Sequence, residues 1–193
     1  VFDDADLENA LNVSAAFKFR NAGQVCISPT RFFVQDKVYR AFVKGFTERA
    51  NALKVGNGTE DGVQMGPLID VRRLPIMEGF VSDAIDSGAV LKTGGERIGN
   101  QGYFYAPTVL SDVPDTARVM IEEPFGPVAP ITHFTSFDEV LERANSLPFG
   151  LAAYAFTSDG EKANRISQAL DAGVIGINHP AVSTPETPFG GVD

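Results

Sequence analysis

The chain has 193 residues, 44% of them hydrophobic, with a single cysteine and a net charge of −9 from 25 acidic and 16 basic side chains. A chain of this size and composition can bury a full core without disulfides or metals, which excludes an intrinsically disordered protein. The acidic balance argues against nucleic acid or an anionic membrane as the main partner, and no apolar run approaches a membrane span.

A lone cysteine and the absence of a secretory signal predict a reducing, cytoplasmic setting. The opening Val1-Phe2-Asp3-Asp4 is acidic and has no initiator methionine, so residue 1 is not expected to be a natural start. The two histidines, His133 and His179, are far apart in sequence, and no metal-ligand cluster is visible.

Asp4 to about Arg20 reads as a helix. Acidic residues open it, Lys18 and Arg20 close it, and Leu7, Ala10, Leu11, Ser14 and Ala15 share a face. Arg31 to Val34 reads as a short buried strand. Asp36 starts a second helix with Val38, Phe42, Phe46, Ala50 and Leu53 near one face. Gly56 to Gly62 forms a loop. A third helix covers Val71 to Ser87, with Pro75 near its first turn and Gly88 just past its end.

Ala89 to Lys92, Tyr105 to Leu110 and Val128 to Phe134 are predicted strands. Ser136 and Glu139 form a capping box before a helix that runs to about Ser146; Ser158 and Glu161 form another before a helix ending near Gly173. Leu151 to Phe156 and Val174 to Asn178 are the last strands. Alternating strands and helices predict an α/β domain with a largely parallel sheet flanked by helices. The apolar run Val174-Ile175-Gly176-Ile177 fits a strand covered on both faces.

Three stretches carry candidate chemistry. Cys26 lies between a helix and a strand, in a segment with Gly23, Ser28 and Pro29. A free cysteine is usually a small buried hydrophobe, but one on a glycine-containing loop can be exposed and closely approached. In "IEEPFGPV", residues 121–128, Pro124 forces Glu123 toward an extended backbone, and the loop presents a carboxylate and the Phe125 ring. Its plainer reading is a rigid turn with a solvated Glu and a core Phe. "TPETPFGGV", residues 184–192, repeats the Pro-Phe-Gly pattern and reads on its own as a surface loop anchored by Phe189. His179 as a base for Cys26 would make a cysteine hydrolase. A non-catalytic interaction module that keeps the fold is a third reading.

Taken together, these stretches resemble the aldehyde dehydrogenase superfamily. The resemblance rests on Gly23-Gln24-Val25-Cys26 with Arg31, on Glu123-Pro124-Phe125-Gly126-Pro127, and on Asn178 followed by Pro188-Phe189-Gly190-Gly191. "QMGPLID", "YFYAPTVL", "RANSLPFGLAAYAFT" and "SQALDAGVIGIN" also occur in family order. It implies that Cys26 attacks an aldehyde to give a thiohemiacetal and then a thioester, with its own N–H as half of an oxyanion site. It implies further that Glu123 and Phe125 hold the nicotinamide end of NAD or NADP, and that Val25, Ile27 and Phe189 line the substrate tunnel. The substrate would be a small aldehyde, with a lean toward semialdehydes such as succinate semialdehyde, and the enzyme would be a homo-oligomer.

The resemblance also implies parts that these residues do not contain. The E-L-G-G segment with the general-base glutamate would lie just upstream of Val1. The cofactor-binding domain, the oxyanion asparagine and the strands of the oligomerisation arm would lie elsewhere too. Residues 1–193 are therefore expected to be one catalytic domain, inactive alone. No second cysteine follows Cys26, so a local disulfide switch is not expected.

Overall fold

The computed structural model describes residues 1–192. Six helices and six strands follow one another as α1 Leu7–Phe19, β1 Phe32–Gln35, α2 Asp36–Ala52, α3 Arg73–Asp86, β2 Val90–Thr93, β3 Thr108–Ser111, α4 Arg118–Ile121, β4 Val128–Phe134, α5 Phe137–Ala144, β5 Ala152–Ala155, α6 Gly160–Ala169 and β6 Val174–Ile177. A four-stranded sheet has the order β1-β4-β3-β2, and β5 and β6 form a separate pair. β1–β4, β3–β4 and β5–β6 are parallel; only β2–β3 is antiparallel. The architecture is the largely parallel α/β arrangement expected from the alternating pattern.

Local chemistry explains the boundaries. Asp6 caps α1 by accepting from the Asn9 N–H at 3.0 Å. Past α3, Gly88 at φ +107° lets the Gly88 and Ala89 N–H groups reach back to the Ile85 and Ala84 carbonyls, closing the helix as a Schellman motif. Ser136 caps α5, but Glu139 turns to the Thr135 N–H and hydroxyl instead of completing a reciprocal box. The second expected box differs more. Asp159, not Ser158, caps α6, accepting from the Glu161 and Lys162 N–H groups. Ser158 is drawn away to the Asp4 carbonyl at 2.7 Å.

Two strand expectations shift. β3 starts at Thr108 because Pro107 has no N–H to give the ladder, and Tyr105 makes only an isolated bridge with Arg97. β6 is an edge strand in which only Gly176 is buried, so the expected cover on both faces is not present there.

Two apolar clusters form the interior. The larger joins Leu11, Phe19, Phe32, Val34, Phe42, Phe46, Met77 and Ile131. The smaller joins Phe2, Phe134, Val140, Ala155 and Ile166. Phe32 and Val34 of β1 belong to the larger cluster, and Phe33 between them packs against both. Among the described residues, no helix is long and apolar enough to cross a membrane, and no group of three His, Cys, Asp or Glu could hold a metal.

Candidate active site

Cys26 is a free, exposed thiol at the tip of a β-turn closed by the Ser28 N–H bond to the Val25 carbonyl, 2.9 Å. Its own backbone N–H donates to no acceptor among the described residues. The chain reaches this turn through three consecutive left-handed residues: Asn21 (φ 51°), Ala22 (φ 54°) and Gly23 (φ 70°). Such a run costs roughly 1–2 kcal/mol for each residue with a side chain, so surrounding contacts must hold it.

Those contacts are specific. A Cβ on Gly23 would overlap the Gly126 carbonyl oxygen, and a Cβ on Gly126 would overlap the Met77 sulfur. The cysteine loop, the Glu123–Pro127 loop and α3 are therefore interlocked through two glycines. Gln24 ties the loop to a third segment: its amide donates to the Pro67 carbonyl at 3.3 Å and its Oε1 accepts from the Ile69 N–H at 2.8 Å. The Ser28 hydroxyl donates to the Lys18 carbonyl.

Arg31 lines the cavity beside Cys26, but its hydrogen bonds are architectural. Its guanidinium donates to the Arg143 and Ala144 carbonyls at 3.1 and 2.8 Å, capping the C-terminus of α5. Burial lowers its pKa, opposed by Asp115. Asn178 is also architectural, since its side chain exchanges two hydrogen bonds with the Thr157 backbone and joins the ends of β5 and β6.

Glu123 and Phe125 are exposed on either side of buried Pro124. Phe125 is strained at φ 44°, and Arg73 pins the loop by donating to the Pro124 and Phe125 carbonyls. The loop is thus rigid and presents its carboxylate and ring outward. This departs from a core position for the phenylalanine.

A cavity of about 970 Å³ runs from Cys26 between the two sheets. Ile27 and Glu123 line it with Cys26, as do Phe17 and Tyr154. Val25, Phe125 and Phe189 do not. Phe189 is half-exposed in the closing segment, and that segment returns to the fold where Val192 bridges Gly150.

Three side chains were missed at the sequence level. Tyr154 donates to the Ile27 carbonyl at 2.8 Å, bracing the residue after Cys26. Burial raises the Tyr154 pKa, with the neighbouring Cys26 adding to it and Arg20 opposing it. Arg20 is exposed, stands over the Phe17 ring and makes no ion pair among the described residues. Lys18 is 1% exposed, and burial pushes its pKa down to about 7 against the opposing pull of Glu123. The sequence offered a signal only for the spacing: Lys18 and Arg20 precede the turn on one helix end.

Neither imidazole serves the thiol. His133 pairs with Asp36 at 2.6 Å in a different depression, and His179 accepts from the Ala181 N–H at 3.1 Å. The exposure of Cys26 is likewise unlike the inert, buried thiol that an interaction module would carry.

The family model described as the aldehyde dehydrogenase family matches residues 1–193. A probable succinate-semialdehyde dehydrogenase [NADP(+)] from Sinorhizobium fredii is 45% identical over 192 residues, 100% of this chain and 39% of that protein. A 3-sulfolactaldehyde dehydrogenase from Pseudomonas putida is 44% identical, again over 100% of this chain and 40% of its own length. The crystal structure of succinate-semialdehyde dehydrogenase from Burkholderia pseudomallei superposes with a TM-score of 0.97 at 44% identity, covering 100% of this chain and 40% of that one. The chain thus spans about two fifths of the length of the relatives it matches.

Proposed function

The chain belongs to the aldehyde dehydrogenase family, and from that premise we propose that it supplies the nucleophile for NAD(P)-dependent oxidation of an aldehyde to a carboxylic acid. The observation that carries this reading is the exposed Cys26 thiol at the tip of a turn, with its own N–H unused.

In this mechanism the Cys26 thiolate adds to the carbonyl carbon, and the π pair moves onto oxygen. The thiohemiacetal oxyanion then lies where the Cys26 N–H can donate to it, a contact stronger in the transition state than in the free aldehyde. NAD or NADP, when bound, supplies the hydride acceptor for the oxidation. Cys26 afterwards holds the acyl group as a thioester, and water breaks the carbon–sulfur bond to release the acid and the thiol.

The residues present fit one end of a dinucleotide. Glu123 offers a carboxylate to ribose hydroxyls, and Phe125 a flat apolar face, on a loop that Arg73 holds rigid. Val25, Ile27 and Phe189 are assigned to the substrate side by family resemblance; of the three, Ile27 shares a cavity with Cys26.

The named substrates of two relatives, succinate semialdehyde and sulfolactaldehyde, both carry an acid group besides the aldehyde. Arg20, unpaired and close enough to Tyr154 to act on its titration, is suited to hold such an anion. We assign a semialdehyde as substrate on this ground. A free exposed thiol fits the reducing cytosol, and the exposed side chains Ile69, Val71 and Ile121 support self-association.

The test is protection of Cys26 from iodoacetamide. Succinate semialdehyde should slow alkylation more than an uncharged aldehyde of equal length, and Arg20→Met should erase that difference. Equal protection by both aldehydes in the unaltered protein would remove the semialdehyde assignment. No protection by either would remove the aldehyde.

A further inference from the structure

The loop of residues 56–62, between α2 and α3, lies outside both depressions of the surface. It holds Asn57-Gly58, the one place in the sequence where a glycine follows an asparagine. Both residues are exposed. They stand in a turn closed by the Glu60 N–H, which donates to the Asn57 carbonyl at 2.9 Å. Inside that turn the Asn57 side chain folds back along its own backbone. Its Oδ1 accepts from the Thr59 N–H and from the Thr59 hydroxyl, each at 3.1 Å. The Gly58 N–H donates to no acceptor among the described residues.

This arrangement activates one carbon. Two donors on Oδ1 draw electron density from Cγ, and they already face the oxygen that would become negative if a nucleophile added there. The ring closed by the Thr59 N–H encloses the Gly58 nitrogen, so a nucleophile is at hand. Nothing crowds it. Gly58 has no side chain, and a Cβ built there would meet nothing within 4 Å. Asn145, which precedes Ser146, is the instructive contrast. Its amide donates to the Ala169 carbonyl at 2.7 Å and its Oδ1 accepts from the Asp171 N–H at 3.0 Å. That side chain is drawn off its own backbone by a distant segment.

We propose that Asn57 is a site of spontaneous covalent modification, converted to aspartate and isoaspartate through a succinimide, with Thr59 as the promoting residue. Hydroxide takes the Gly58 N–H proton, and the nitrogen pair forms a bond to Asn57 Cγ. The Cγ–Nδ2 bond then breaks, and Nδ2 leaves as ammonia after taking a proton from water. Water adds to either carbonyl of the imide and breaks one of its two C–N bonds. No oxidant or reductant is needed. Either product places a new carboxylate beside Glu60 and Asp61, and isoaspartate also adds a methylene to the backbone within the turn. Below the tip the loop is closed by the Gly56 N–H on the Met65 carbonyl and the Gln64 N–H on the Lys54 carbonyl, at 3.1 and 2.9 Å. The change therefore stays at the tip, away from the Gln24 contacts with Pro67 and Ile69. The inference is independent of the reaction assigned to Cys26.

The experiment incubates the 193-residue chain in warm buffer near pH 8 and follows its tryptic peptides by mass spectrometry. Val55–Arg72 holds Asn57 as its only asparagine, and Ala144–Lys162 holds only Asn145. The first peptide should gain about one dalton at least about tenfold faster than the second, and the gain should be matched by methyl transfer from a protein isoaspartyl methyltransferase. Gly58→Ala leaves the fold intact, because its φ lies outside the left-handed region and its methyl has open space, yet it should slow the gain at least about tenfold. Thr59→Val keeps the N–H and loses the hydroxyl, and should slow it about threefold to tenfold, the worth of one hydrogen bond. The proposal is overturned if Val55–Arg72 gains mass no faster than Ala144–Lys162, or if Gly58→Ala gains it as fast as the unaltered chain. It is overturned equally if Thr59→Val converts as fast or faster, since the hydroxyl would then restrain the amide instead of activating it.

Discussion

Gly23 and Gly126 stand in backbone contact, so that the carbonyl oxygen of one occupies the place where the other's Cβ would be. This single approach couples the loop that carries the thiol to the loop that carries Glu123 and Phe125. Neither loop can shift without the other, so the thiol and the Glu123–Phe125 loop are held at a fixed separation.

Gly23→Ala should therefore be costly in two ways. The residue must keep a left-handed φ of 70°, and its methyl must displace the Gly126 carbonyl. Together these should lower stability by about 3 kcal/mol in urea unfolding. Cys26 alkylation should lose its uniform rate as the turn becomes heterogeneous. A stable variant with unchanged alkylation would show that the two loops are not coupled.

Lys18 should make stability depend on pH. Burial lowers its folded pKa to about 7 from 10.5, so the folded state holds the proton less tightly than the unfolded one. Its penalty is absent above the unfolded value, grows as pH falls from 10.5 toward 7, and is complete below 7. Over that window the loss is on the order of 5 kcal/mol. Unfolding midpoints measured from pH 6.5 to 9.5 should rise with pH, and Lys18→Met should flatten the rise and stabilise the protein at pH 7. A flat profile in the unaltered chain would show that the ammonium is solvated.

Much of the fold was legible in the sequence. β4 was bounded as observed because Val128 to Phe134 is a mostly apolar run with Pro127 before it and the Ser136 cap of α5 two residues after it. The α6 cap was misjudged by one residue because Ser158 bonds to Asp4, a partner 154 positions away that no local pattern shows. The site was legible as motifs and not as roles. Arg31 shares the motif of Cys26 and Asn178 the motif of Phe189, yet one caps α5 and the other joins two strand ends. Tyr154 was invisible as a site residue, since an aromatic in a strand reads as core until its hydroxyl is seen on the Ile27 carbonyl.

Arg31→Lys should separate architecture from chemistry. A lysine cannot cap two carbonyls at once with a planar fork, so α5 should fray and stability should fall by about 1–3 kcal/mol. The alkylation rate of Cys26 should change less than about twofold. A large rate change with unaltered stability would place Arg31 in the chemistry instead.

The 193-residue chain alone should not sustain NADH or NADPH production from succinate semialdehyde. On the proposed reading Glu123 and Phe125 would hold only one end of the cofactor, and correct placement of the reacting groups is worth roughly 7–11 kcal/mol of barrier. Sustained absorbance from NADPH that vanishes in Cys26→Ala would show that these residues suffice.

The central claim is that Cys26 is a nucleophile competent to hold an acyl group. It is tested most directly by intact-protein mass spectrometry after brief exposure to p-nitrophenyl acetate near pH 8. The account expects one acetyl group, mapped to Cys26, released by hydroxylamine and absent from Cys26→Ala. Acetylation that spares Cys26, or that persists undiminished in Cys26→Ala, would contradict it.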